Sequence, residues 1–194
     1  MVSIGDTSLA VQTCGTGQPL VLLHAFPLDH TMWHRNVPLA NHLRLIIPDQ
    51  RGFGLSTEGH PKTKPLLSIT QLADDVAKLL DALQIDEPAV IAGISMGGYV
   101  ALAFAEKNPK DVIGLCLMNS TANADSSERK KNRDRAIIAV KQNYKTFVRI
   151  AVVNLFRPKN RRVFTKQIKF IKEEALKMPV QGIVAALEGM KIRK

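Results

Sequence analysis

An apolar run, Ala89-Val90-Ile91-Ala92, passes directly into Gly93-Ile94-Ser95-Met96-Gly97-Gly98 and then into Tyr99-Val100-Ala101-Leu102-Ala103-Phe104-Ala105. No other stretch constrains the fold as tightly. The first run is short and β-rich, as expected of a strand, and the last reads as a buried helix. Between them one serine has to turn the chain. A side chain in place of the flanking glycines would collide with the neighbouring strand or helix. Such a turn pushes its central residue into a strained backbone conformation and presents it at the head of a helix. The alternative reading is an ordinary strand-to-helix turn with an inert serine.

The remaining elements suit the same architecture. Residues 8–13 alternate weakly, as in a strand, and Gly15-Thr16-Gly17-Gln18-Pro19 reads as a turn. Leu20-Val21-Leu22-Leu23 and Arg44-Leu45-Ile46-Ile47-Pro48 read as strands buried on both faces. A helix is predicted over 32–41. Leu72, Val76, Leu79, Leu80 and Leu83 predict an amphipathic helix over 69–83. A further strand is predicted over 112–118, and helices from Ser126 onward, with breaks near Pro158 and Pro179. Strands alternating with helices indicate an α/β fold around a mostly parallel sheet. Tyr99, Leu102 and Phe104 are expected in the core, whereas Trp33 and Phe26 suit a pocket wall or plain packing equally well.

Charge divides the 194-residue chain. Residues 1–121 hold 8 Lys and Arg against 11 Asp and Glu, whereas residues 122–194 hold 19 against 6. This shift marks an expected boundary near Ala122. The basic charges fall between apolar residues at helical spacing, as in Ala136-Ile137-Ile138-Ala139-Val140, which is the pattern of solvated helix faces. Nucleic acid is therefore not an expected partner. Two scattered cysteines, Cys14 and Cys116, suit a reducing compartment rather than a disulfide framework or a metal site. With no signal-peptide pattern and no apolar stretch of membrane-spanning length, the expectation is a cytoplasmic protein without a membrane partner. No cofactor or metal is expected.

Three more stretches complete a pattern. His24-Ala25-Phe26-Pro27-Leu28 ends one predicted strand, Asp49-Gln50-Arg51-Gly52-Phe53-Gly54-Leu55-Ser56 ends the next, and Asn108-Pro109 closes the helix behind Ser95. In order and spacing, these and the Ser95 elbow resemble the α/β-hydrolase fold family, above all small 3-oxoadipate enol-lactonases and cofactor-free haloperoxidase-like esterases. Ala185 to Met190 resembles the last helix of that family's cap, and His24-Ala25 stands where the family usually has His-Gly. The resemblance implies Ser95 as nucleophile and the backbone N–H groups of Phe26 and Met96 as oxyanion hole. It further implies His24 as a brace of the loop rather than a base, and Asp49 and Arg51 as turn-fixing residues. Residues 1–121 become the N-terminal part of the hydrolase core, and residues 122–194 its helical cap.

One part of the pattern is missing. All five histidines, His24, His30, His34, His42 and His60, precede Ser95, whereas the family's base comes late in the chain. The family follows its cap with two core strands that carry the triad acid and the histidine. Those last two strands are expected to be absent here. Asp125 is a candidate acid, because some relatives place the acid after the strand corresponding to 112–118; the alternative is that it caps the helix beginning near Ser126. The strand at 112–118 is then expected to be an open sheet edge, with self-association through it. The expected function is hydrolysis of small carboxylic esters or lactones, with an incomplete triad. The alternative is a non-catalytic pseudo-hydrolase that binds through its pocket or its basic cap.

Overall fold

The structure, a computed structural model, describes residues 1–56 and 67–194, so His60 lies outside the described residues. Five strands form the main sheet: β3 (Val11–Cys14), β4 (Pro19–Leu23), β5 (Arg44–Pro48), β6 (Ala89–Ile94) and β7 (Val112–Met118). Their order is β3-β5-β4-β6-β7. The β4–β5, β4–β6 and β6–β7 pairs are parallel, and β3 runs antiparallel to β5. The sheet is therefore mostly parallel, as expected. A two-stranded ribbon, β1 (Val2–Ser3) with β2 (Ser8–Leu9), was not legible in the sequence. The single strand expected over 8–13 breaks at Ala10. Its carbonyl still accepts from Asp49 N (2.8 Å) next to the β3–β5 pairing, but its N–H is diverted to Ser56 Oγ (2.8 Å).

The expected helix over 32–41 is instead a run of 3₁₀ turns, His30–Asn41. It starts where Asp29 Oδ1 accepts from Thr31 N (2.9 Å), and it contains Pro38, which has no N–H to donate. Helix α1 (Ile69–Ala82) begins at Ser68, whose hydroxyl accepts from Gln71 N (3.0 Å). Helix α2 (Met96–Lys107) follows β6 with Ser95 alone between them, and Asn108 ends it. Tyr99 and Phe104 are buried as expected, whereas Leu102 is only half-buried. Trp33 packs with Leu20, Leu22, Leu45 and Ile47, so it is core rather than pocket wall.

Helices α3 (Ser127–Asn154), α4 (Thr165–Ala175) and α5 (Val180–Ile192) make up the basic stretch. Asn143 kinks α3 and restarts it, its side-chain oxygen accepting from Thr146 N (3.0 Å). Tyr144 next to the kink donates its hydroxyl to the carbonyls of Ala175 (2.9 Å) and Met178 (2.5 Å), and burial pushes that phenol up to about 12. Helix α5 buries Ile183, Ala185, Ala186, Leu187 and Met190 in the same cluster as Val21, Ile91 and Val100. Gly189 lets it approach, since a Cβ there would run into the Leu67 carbonyl. Among the described residues, no helix is long and apolar enough to cross a membrane.

Candidate active site

The parallel register of β4 and β6 puts two loop entrances side by side, because Leu23 lies opposite Gly93. Both strands end at the same edge of the sheet, so His24–Leu28 and Ile94–Met96 emerge together. Ser95 has φ 52° and ψ −111°, a left-handed conformation that a non-glycine residue adopts at a cost of about 1–3 kcal/mol. The surroundings enforce it. Ser95 N donates to Met118 O (2.9 Å), and Ser120 Oγ donates to Ser95 O (2.9 Å). A Cβ on Gly93 would strike the Gly97 carbonyl, and one on Gly97 would strike the Leu23 carbonyl. The glycines thus let the elbow press against the loop that carries Phe26.

The Ser95 side chain is half-buried and makes no cap hydrogen bond, nor does its hydroxyl reach any partner among the described residues. Met96 heads α2 and is fully buried. Its N–H is one of the unpaired donors at the positive end of that helix. Phe26 is half-buried and packs edge-on against Phe53, with centroids 6.3 Å apart. The loop between β4 and the 3₁₀ turns also has a cis Phe26–Pro27 peptide.

His24 is fully buried beneath this loop. Gln50 N donates to its Nε2 (2.9 Å), Gln50 Nε2 donates to its carbonyl (2.9 Å), and its own Nδ1 bonds the Ala25 carbonyl (3.1 Å). The ring must stay neutral to accept from Gln50, and burial lowers its pKa to match. His24 therefore joins the ends of β4 and β5, in line with the brace expected of it.

Asp49 and Arg51 do more than fix a turn. Asp49 Oδ1 accepts from His30 N and from His30 Nδ1, each at 2.8 Å, and Oδ2 accepts from Leu55 N (2.9 Å). Arg51 is almost fully buried and is forked by two carboxylates. Its Nε and Nη2 donate to Asp75 on α1 (both 2.7 Å), and Nη1 and Nη2 donate to Asp6 (2.8 and 2.9 Å). The Arg51 hydrogen bonds bring Asp6 down to about 2. Asp29, His30 and Asp49 bring potential ligand atoms within 4.8 Å of one another. Asp49 already accepts three hydrogen bonds there, so the cluster reads as a structural knot. The sequence did not reveal these pairings, since Asp6 and Asp75 lie 45 and 24 positions from Arg51.

Asp125 is buried beside α3, and it does not cap that helix: Ser126 does, its hydroxyl accepting from Arg129 N (3.2 Å). The Asp125 carboxylate lies between two guanidinium groups. Arg133 Nε bonds Oδ2, and Arg193 Nη1 donates to Oδ1 (2.6 Å). Burial pushes this carboxyl up, but the two arginines outweigh it and hold it below the usual carboxylate range. Arg193 also stacks on the Tyr99 ring, 3.8 Å from its centroid. No hydrogen bond among the described residues joins Asp125 to the elbow.

A strand, a left-handed serine and a helix, braced against a neighbouring strand end, are the fold-defining elements. A family model described as alpha/beta hydrolase fold matches residues 18–161. The chain belongs to the α/β hydrolase fold family. Among curated relatives, this hydrolase-fold chain is 35% identical over 123 residues to the AB hydrolase superfamily protein YisY of Bacillus subtilis. That match covers 60% of this chain and 43% of the relative, so the chain spans less than half of that protein's length. Among solved structures it is similar to a thermophilic esterase from Thermogutta terrifontis, at 36% identity and a TM-score of 0.87. That likeness covers 95% of this chain and 67% of the esterase. The enol-lactonase from Burkholderia xenovorans shares the fold at 24% identity and a TM-score of 0.83, over 96% of this chain and 71% of that one. The hydrolase fold and its esterase-like neighbours agree with the resemblance read from the motifs.

Proposed function

We propose that this chain is the nucleophile-bearing part of a serine hydrolase that acts on small carboxylic esters or lactones. Ser95 Oγ bonds to the substrate carbonyl carbon, and the carbonyl electron pair moves to oxygen. The N–H groups of Phe26 and Met96 donate to that oxyanion, with the α2 N-terminus adding favourable potential. Collapse of the intermediate breaks the ester C–O bond and releases the alcohol, and water then frees the acid from Ser95. One observation carries this reading: the strained, unpartnered serine at φ 52°, held at a helix start against the Phe26 loop.

The Ser95 proton needs a base. No histidine follows Ser95, His24 is held neutral beneath the loop, and His30 is paired with Asp49. The base is therefore assigned to a residue outside this sequence. Asp125 is assigned to tying the start of α3 to the end of α5 within residues 122–194, through Arg133 and Arg193, rather than to the triad. Two free, scattered cysteines support a cytoplasmic setting.

The test is hydrolysis of a short-chain nitrophenyl ester by the purified chain beside Ser95→Ala, with a fluorophosphonate label on both. Turnover and labelling that vanish in Ser95→Ala are the expected result. A folded protein that neither turns over nor labels would instead support the second reading, a binding module built on a hydrolase scaffold.

A further inference from the structure

A cavity of about 620 Å³ lies away from Ser95, between the 3₁₀ turns and α4. That volume falls in the range of small-molecule sites, roughly 300–1,000 Å³. Helical spacing explains one wall. Lys166, Phe170 and Glu174 stand four apart on α4, so they share a face. Phe156 and Phe164 extend this wall as an aromatic pair with centroids 6.0 Å apart. Leu28 and Met32 supply the opposite wall.

Two features define what would fill it. The first is exposed apolar area: Phe164 and Phe170 are 39% and 45% exposed, although both rings face a concave surface that could cover them. The second is the sign of the free charge. Of the two carboxylates of the lining, Glu174 is neutralised by an ion pair, whereas Asp29 keeps its charge but is buried and turned into its own hydrogen bonds, so the exposed rim is net positive. Asp29 accepts from Thr31 N and Thr31 Oγ1 (2.5 Å), and Glu174 accepts from Lys177 Nζ at 2.7 Å. Arg35 and Lys166, one on each wall, have no hydrogen bond or ion pair among the described residues. The cavity thus combines an aromatic, apolar interior with two unneutralised cations at its rim.

We propose that this cavity is a binding site for an amphipathic carboxylate, a medium-chain or aryl-alkyl acid, separate from Ser95. The hydrocarbon lies against Phe156, Phe164 and Phe170, and the carboxylate bridges Arg35 and Lys166. An acid matches both features; an alcohol leaves the cations unpaired, and an amine meets them with like charge. Leu28 links the site to the elbow region, since it also packs in a cluster with Ala25 next to His24. The site does not depend on Ser95 being reactive.

Calorimetric titration of the full chain with octanoate tests this. Saturable binding is expected, at least about tenfold weaker for octan-1-ol and absent for octylamine. Arg35→Ala combined with Lys166→Ala is expected to weaken octanoate by about tenfold or more. Its melting temperature should not change, because both side chains are exposed. Phe170→Glu should abolish binding, and Ser95→Ala should leave it within about twofold. Equal affinity for octanoate and octan-1-ol, an unaffected Arg35 and Lys166 double variant, or no saturable binding would each overturn the proposal. Loss of octanoate binding in Ser95→Ala alone would also overturn it, by placing the acid at the elbow.

Discussion

Strands β4 and β7 flank β6 in the same parallel orientation, and both are apolar runs, yet their environments are opposite. All five residues of β4 are buried. In β7, Ile113, Leu115 and Leu117 are 65%, 41% and 40% exposed. Register sharpens the contrast. Ile46, Val21 and Ile91 lie side by side across β5, β4 and β6 with no exposed surface, and the next residue in that row is Leu115. A single row of the sheet passes from a sealed core to an open edge within one strand spacing. A short, β-rich apolar run therefore predicts a strand, but only its neighbours decide whether that strand is buried.

The largest expected effect is on the sealed side. Asp75→Asn leaves the buried Arg51 guanidinium without its deep partner and should cost about 3–5 kcal/mol in denaturant unfolding. A variant within about 1 kcal/mol of the parent would mean that Asp6 alone satisfies Arg51. Next comes the direct comparison of strands. Leu23→Ala on β4 should cost about 2–5 kcal/mol, whereas Leu117→Ala, opposite the same Gly93 row, should cost under about 1 kcal/mol. Equal losses would show that β7 is covered in solution.

The open edge also carries an association prediction. Residues 112–123 contain no charged side chain to discourage edge pairing. A second copy pairing antiparallel along β7 should make the chain sediment above its monomer mass, and Leu115→Lys should return it to monomer with little change in melting temperature. A parent chain that sediments as a monomer would refute this.

The smallest effect is electrostatic. Asp6 has its pKa lowered from 3.8 to about 2 by its hydrogen bonds to Arg51, so its contribution is present above pH 3.8 and disappears as pH falls through about 2. Its carboxylate is 61% exposed, so solvent screens most of the gain. Asp6→Asn should slightly flatten the fall in stability between pH 4 and pH 2. An unchanged acid limb would assign that fall to other carboxylates.

Much of this was legible from local pattern. The strands at 44–48 and 112–118 have the boundaries that their apolar runs imply, and the Gly-flanked serine marks the elbow. The pattern over 32–41 predicts a helix where the fold has 3₁₀ turns, because Pro38 weakens rather than erases helical spacing. Asp125 looked like either a cap or an acid because the decisive partner, Arg193, lies 68 positions away. Leu102 belongs to the same apolar helix as Tyr99 and Phe104, but its side of α2 faces a surface groove, which the apolar run alone does not reveal.

The sequence by itself determined the order of elements, the position of Ser95 between a strand and a helix, and the need for small residues on either side of it. Those follow from steric rules within a few bonds. The tertiary structure alone decided that Arg51 ties Asp75 to Asp6, that His24 stays neutral, that Asp125 is held by two arginines, and that β7 ends the described sheet. Each of these depends on which groups are brought together through space, and on the water their meeting removes.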